Sequence, residues 1–88
     1  LHLAARYGQD ALVRFCVDTG MDVKATNWKD QQTPLHFAAI GGHASTINVL
    51  FELGASARVY NVSNHLPSIV CRAGQRELRQ YLRSKEAE

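Results

Sequence analysis

The sequence repeats itself at a spacing of 34 residues. Residues 1–5, Leu-His-Leu-Ala-Ala, match residues 35–39, Leu-His-Phe-Ala-Ala, and Gly20 matches Gly54 at the same spacing. Apolar residues and glycines recur together throughout this stretch. A fixed period of this length is typical of repeat proteins, in which short supersecondary units stack on one another to build a continuous core.

A third copy of the repeat is present near the C-terminus, with less regular spacing. Gly74 lies 32 residues after Gly42, and residues 78–82 carry apolar side chains at helical spacing. Leu66-Pro67 stands where the second copy has Thr-Pro, but this alignment needs a deletion of one residue before Gly74. The register of residues 61–73 therefore stays open at this point.

Each copy predicts two short helices. Thr33 is a good N-cap and Pro34 suits the first helical position, where a missing N–H costs nothing. Gly41-Gly42 interrupts the first helix, and Gly54 allows the left-handed conformation that ends the second. The same reasoning applied along the chain predicts helices over residues 1–7, 10–19, 34–40, 44–53, 67–72 and 75–85.

Two polar segments separate the helix pairs. Residues 21–33 and 55–66 are rich in Asn, Asp, Ser and Gln, which makes them too polar and too interrupted for core strands. Such composition indicates exposed turns or hairpins. We call these two projecting turns the first and second fingers.

Residues 33–39, Thr-Pro-Leu-His-Phe-Ala-Ala, resemble the T-P-L-H-x-A-A signature of ankyrin repeats. Gly42-His43 and Gly54-Ala55 also match the family pattern. The resemblance covers essentially the whole chain and weakens after residue 60. It implies an all-α fold, an ankyrin-type helix-turn-helix solenoid with short projecting β-turn fingers.

The resemblance also implies how the chain is organised. We expect a single ankyrin-repeat domain over residues 1–88, with repeats at 1–26, 27–60 and 61–88. The first lacks its leading turn, so we expect the chain to belong to a longer protein with upstream repeats. The last is degenerate and is expected to act as a cap, whose outer face meets water. Residues 27–32 contain one residue more than the family pattern and no Gly, which predicts a longer first finger.

Composition narrows the class of protein. The chain has 88 residues, of which 45% are hydrophobic and 20% charged, which is ordinary for a globular domain and argues against disorder. A net charge of +2 is too small to indicate nucleic acid, and no apolar run approaches the roughly 20 residues of a membrane span. Cys16 and Cys71 lie in apolar helical patterns, which favours a reducing intracellular compartment, cytoplasmic or nuclear.

No pattern in the sequence points to catalysis. The chain contains neither H-E-x-x-H nor C-x-x-C, and Gly41-Gly42 lacks the lysine and hydroxyl of a phosphate-binding loop. His2 and His36 occupy equivalent repeat positions, and the resemblance implies that each imidazole bonds to finger backbone and ties neighbouring repeats together. We therefore expect no catalytic residues, no metal and no cofactor.

Residues that contact a partner should be those whose side chains are exposed and do not pack between neighbouring repeats. The resemblance implies that finger tips and the exposed side of the first helices contact partners. In this chain those positions are Arg6, Tyr7, Trp28, Lys29, Gln32, Ile40, Gly41, Val62, Ser63 and His65. Trp28 is the strongest candidate, because no apolar neighbour calls for its burial and exposed Trp often dominates interface energetics.

Three functions remain open from the sequence. The first is a non-catalytic module that presents a groove to another protein. The finger tips and the first helix of each repeat, which we call the inner helices, form this groove. The second is a targeting or regulatory segment of a larger multidomain enzyme or effector. The third is binding of an anionic surface or nucleic acid through Arg76, Arg79 and Arg83, which share one helix face; a solvated cap is the simpler explanation of that face.

Overall fold

A computed structural model describes residues 1–27, 29, 31–71 and 75–86. Within these residues the chain is helical and contains no strand. The helices are α1 (His2–Arg6), α2 (Asp10–Asp18), α3 (Pro34–Gly41), α4 (Ala44–Glu52), α5 (Pro67–Val70) and α6 (Arg76–Glu86). The all-α fold expected from the repeat is confirmed, and most predicted helix boundaries agree with the structure to within one residue.

The helices form two rows. The first helices of the repeats lie side by side, with α3 packed against α1 on one side and α5 on the other. The second helices form the other row, in which α2 packs against α4. Two polar contacts join these second helices, because the Thr46 hydroxyl donates to the Asp10 carboxylate and Arg14 pairs with Glu52 at 2.7 Å. The repeats therefore stack in chain order, which is the arrangement that a solenoid requires.

The start of α3 is specified locally by Thr33. Its hydroxyl accepts the backbone N–H of His36, and its own N–H donates to Nδ1 of His36, so that the two residues form a reciprocal capping box. Pro34 occupies the first helical position, as predicted. These contacts satisfy backbone groups that would otherwise have no partner at a buried helix end.

Glycine residues mark the ends of α3 and α4. Gly42, the C-cap of α3, has a φ of 74°, and Gly54, which follows α4, has a φ of 102°. Residues with a Cβ rarely adopt this left-handed region, so glycine at these positions avoids strain. The helix-ending role predicted for both residues is confirmed.

The core lies between the two rows. Ala38 and Ala39 are fully buried, and their small side chains allow α3 to approach its neighbours closely. Larger side chains fill the remaining space and are completely or almost completely buried: Val13, Leu35, Ile47, Leu50, Leu78 and Leu82. Each such side chain contributes about 1.5–3 kcal/mol relative to an exposed one.

The structure settles the register of the last repeat. Leu66 is the N-cap of α5 and Pro67 its first residue, so Ser68 corresponds to Leu35 and Ile69 to the signature His36. Leu66 offers no side-chain cap. Helix α5 ends at Val70, two residues before the predicted end, consistent with the loss of the cap and of the bond-forming imidazole. Residues 72–74 lie outside the described part of the chain.

Candidate binding surface

Both fingers are closed at their base by an asparagine. The side-chain Oδ1 of Asn27 accepts the backbone N–H of Gln32 at 2.8 Å. In the second finger, Oδ1 of Asn61 accepts the N–H groups of Ser63 and His65 at 2.9 and 3.0 Å. Sequence reasoning missed this role, although the 34-residue spacing between the two asparagines was a visible signal.

The first finger is one residue longer than the second. The N–H of Asn27 donates to the carbonyl of Gln32, whereas the N–H of Asn61 donates to the carbonyl of His65. The residue that makes the first finger longer than the second therefore lies between these paired positions. Gln31 adopts a positive φ of 56°. A side chain in this region carries a conformational cost that glycine would avoid.

Two histidines hold the fingers in place. Nε2 of His2 donates to the carbonyls of Ala25 and Gln32 at 3.0 and 3.1 Å. Nε2 of His36 donates in the same way to the carbonyl of His65 at 2.8 Å. Each imidazole thus joins the first helix of its repeat to the finger that follows, and the tying role expected for His2 and His36 is confirmed.

The His36 ring is neutral because of these surroundings. The ring is fully buried, and Nδ1 accepts the N–H of Thr33 while Nε2 carries the proton and donates to the carbonyl of His65. Burial lowers the pKa of His36 below its ordinary 6.5; the bond to the His65 backbone opposes this shift, and the His65 side chain adds to it. An uncharged ring that both donates and accepts is the form that this site needs.

The finger residues predicted to contact a partner are arranged at the surface. Lys29 is exposed in the first finger, whereas Gln32 is partly buried and its backbone groups serve the finger closure. Val62 is 60% exposed, and Ser63 and His65 are also exposed in the second finger. Trp28 lies outside the described residues.

The inner-helix candidates lie together around one groove. Its walls are formed by Arg6, Tyr7, Ile40, Gly41 and His43, and its volume is about 370 Å³. Four of these five residues were predicted from the sequence. His43, the N-cap residue of α4, was not among the candidates, because its place beside α1 depends on the packing of two repeats.

Glycine is required at the floor of this groove. A Cβ on Gly41 would lie 2.2 Å from the carbonyl oxygen of Arg6 and 2.7 Å from the His43 ring. A Cβ on Gly8 would lie 2.8 Å from Nδ1 of the same ring. The His43 imidazole is therefore held between two glycines at the junction of the first two repeats.

The three arginines of α6 are not equivalent. Arg76 and Arg83 are exposed, whereas Arg79 is partly buried. Nη2 of Arg79 donates to the carbonyl of Cys71, the C-cap residue of α5, at 3.5 Å. One member of the expected basic face therefore turns back onto the preceding helix, and the other two are exposed.

The N-terminal end of the stack exposes apolar side chains. Leu3 is 66% exposed and Phe15 63%. At the equivalent positions of the next repeat, the ring of Phe37 contacts that of His2 and Val49 is only 7% exposed. The same repeat positions are thus covered where a preceding repeat is packed against them.

The described residues show no grouping suited to metal chemistry. In these ranges no three His, Cys, Asp or Glu side chains converge as a metal site would require. Cys16 and Cys71 are both buried, and no disulfide joins them. Asn61, within an Asn-x-Ser pattern, is buried and bonded to its own finger. No helix of the described part has the length and apolar character of a membrane span.

A comparison with protein families agrees with this geometry. Residues 1–51 match the family described as ankyrin repeats (many copies). The matched region includes α1 to α3, the first finger and most of α4. It therefore contains the whole groove between the first two repeats.

Proposed function

The chain belongs to the ankyrin repeat family, whose members are in general protein–protein interaction modules, and we propose that it presents its fingers and inner helices to a protein partner without catalysing a reaction. The repeats proposed to build this surface are residues 1–26, 27–60 and 61–88. The candidate contact residues are Lys29, Val62, Ser63 and His65 on the fingers and Arg6, Tyr7 and Ile40 on the inner helices.

The observation that carries this proposal is an exposed surface on a fixed backbone. Val62 and Ser63 face solvent, while Asn61 beneath them is buried and bonded at Oδ1 to two backbone N–H groups. His36 holds the same finger from the neighbouring helix. A surface that is already ordered loses little conformational entropy on binding, which favours affinity for a partner of matching shape.

A further repeat is proposed to cover the N-terminal end. Leu3 and Phe15 are exposed there, whereas Phe37 and Val49 show that the same positions are packed when a repeat precedes them. Covering the two side chains would remove apolar area from water, worth about 25 cal/mol per Å². A chain extended by one preceding repeat should melt at a higher temperature, and an unchanged melting temperature would contradict this proposal.

An intracellular compartment, cytoplasm or nucleus, is also proposed. Cys16 and Cys71 are both buried in the core, and no disulfide joins them. Small secreted domains of this size commonly depend on disulfides, so two buried cysteines that are not joined by a disulfide fit a reducing environment. Fluorescence microscopy of the tagged full-length parent protein would test the assignment.

The interaction function can be tested with surface variants. A partner captured by the full-length parent protein would be purified, and its affinity measured for the wild-type chain, Val62→Asp and Tyr7→Ser. Both side chains are well exposed, so neither change should alter the melting curve. Each variant is expected to weaken binding by at least about tenfold if its side chain is a central contact.

A matched control distinguishes this surface from the rest of the molecule. Glu52 lies on the second-helix row, so Glu52→Gln changes an exposed residue away from the fingers and inner helices. It should leave affinity unchanged. Wild-type affinity in both Val62→Asp and Tyr7→Ser would refute the proposed contact surface.

A further inference from the structure

Charge is distributed unevenly over the elements that form the proposed binding surface. The segments 1–7, 21–43 and 55–70 contain the inner helices and fingers, and their acidic residues are limited to Asp22 and Asp30. Their basic residues are Arg6, Lys24, Lys29 and Arg58. The carboxylate of Asp22 also accepts the N–H of Lys24 within the first finger. This side of the molecule therefore favours a partner that carries negative charge.

The inner helices carry a single formal charge on an otherwise apolar surface. Among the residues of α1, α3 and α5, only Arg6 has a permanently charged side chain. Its guanidinium is exposed and forms no ion pair or hydrogen bond with the residues that the structure describes. The carboxylate of Asp10, four residues further along the chain, is engaged by the Thr46 hydroxyl. Arg6 is thus available for an external carboxylate.

The groove beside Arg6 supplies an apolar contact at the same place. Tyr7 is 64% exposed on one wall, and Ile40 is partly exposed on the other. Gly41 also lines the groove, where the absence of a side chain lets α3 pack directly against the Arg6 carbonyl and the His43 ring. A volume of about 370 Å³ is sufficient for one or two side chains of a partner.

We propose that this groove binds a short acidic segment of the partner protein, with a carboxylate on Arg6 and an adjacent aliphatic side chain between Tyr7 and Ile40. The inference rests on the proposed interaction function and specifies the chemistry of the ligand. A planar guanidinium can bind a carboxylate through two parallel hydrogen bonds, which adds direction to the contact. Because the walls are apolar, a segment with an aliphatic side chain beside its carboxylate should bind more tightly than a segment with acidic side chains alone.

The test uses amide NMR shifts of the ¹⁵N-labelled chain. The probe is a short Gly/Ser peptide with a central Leu-Glu pair, titrated up to about 10 mM because one groove of this size supports only weak affinity. Control peptides replace Glu by Gln or Leu by Gly. The expected shifts are concentrated at residues 6–8 and 40–43, and each control peptide should bind about two- to fivefold more weakly.

Two protein variants complete the design. Arg6→Gln should weaken the Leu-Glu peptide by about two- to fivefold and leave the Leu-Gln peptide unaffected. Arg83→Gln makes the same chemical change on α6, away from the groove, and should have no effect. Both positions are exposed, so neither substitution should affect folding.

Three results would overturn the inference. These are equal binding of the Glu and Gln peptides, shifts concentrated on α6, and no shift over the whole titration range. Shifts confined to the fingers would also overturn the groove assignment but would leave the interaction function standing. Failure of that function is detected separately, by the partner affinities of the Val62→Asp and Tyr7→Ser chains.

Discussion

His36→Ala should destabilise the chain far more than the same change at His2. The imidazole of His36 is fully buried and links Thr33 to the second finger. Its removal leaves the buried N–H of Thr33 without a partner, which costs about 1–3 kcal/mol. The carbonyl of His65 keeps its bond from Asn61, so the loss there is nearer 1 kcal/mol.

The cavity left by the ring adds to these losses. Together with the two hydrogen bonds it brings the expected cost of His36→Ala to about 3–5 kcal/mol. A small domain has only about 5–15 kcal/mol of total stability, so the change removes a large part of it. His2 is partly exposed and is held to the finger by Nε2, and we expect its replacement to cost about 1–2 kcal/mol.

Urea unfolding of the wild-type, His36→Ala and His2→Ala chains would measure these free energies. Thermal melting gives a second readout, in which 3 kcal/mol corresponds to a fall of about 12 °C or more in a domain of this size. Hydrogen exchange at the Asn61 amide should accelerate in His36→Ala, because that amide donates within the finger that the ring holds. Equal costs for the two alanine variants, or a cost below about 1 kcal/mol for His36→Ala, would refute the reasoning.

The remaining predictions concern pH, close packing and the finger base. Burial lowers the pKa of His36 in the folded chain, so below pH 6.5 the unfolded chain binds more protons than the folded chain does. The contribution of His36 to stability is therefore fully present above that pH and decreases as the pH falls toward the lowered pKa. His36→Gln should lack this part of the slope in urea unfolding at a series of pH values, and an unchanged slope would exclude His36 as its source. Gly41→Ala gains up to about 1 kcal/mol of helix propensity but places its Cβ 2.2 Å from the Arg6 carbonyl. We therefore expect the free energy of unfolding to fall by about 1–3 kcal/mol, measured by thermal melting. A stabilised variant would show that the two repeats can separate at little cost. Asn61→Ala removes the acceptor of two N–H groups at the base of the second finger and should cost about 2 kcal/mol; a cost below about 0.5 kcal/mol in urea unfolding would contradict the proposed finger closure.

The local features of the fold could be predicted because they depend on nearby residues. Thr33 and Pro34 define the start of α3, and Gly42 and Gly54 define helix ends, through backbone geometry that a few neighbours determine. The longer first finger followed from one extra residue between repeat positions. These inferences required no knowledge of which surfaces meet.

The features that sequence reasoning missed depend on distant contacts. His43 joins the groove because α1 lies beside α3, and Arg79 leaves the basic face because its guanidinium reaches the carbonyl of Cys71. Asn27 and Asn61 were visible as a repeated residue type, but the hydrogen bonds that they accept depend on how each finger folds back on its base. None of these contacts can be inferred from the residues that lie nearby in the sequence.

The amino-acid sequence by itself determined the 34-residue period, the pairing of short helices and the two histidines that join repeats to fingers. Tertiary structure decided which side chains are available to other molecules. Phe15 and Val49 occupy the same repeat position, yet one is 63% exposed and the other 7%. Helix formation depends on neighbours along the chain, whereas burial depends on what packs against a residue in space. For this reason the fold could be inferred from the repeat, and the groove beside Arg6 only from the stacked helices.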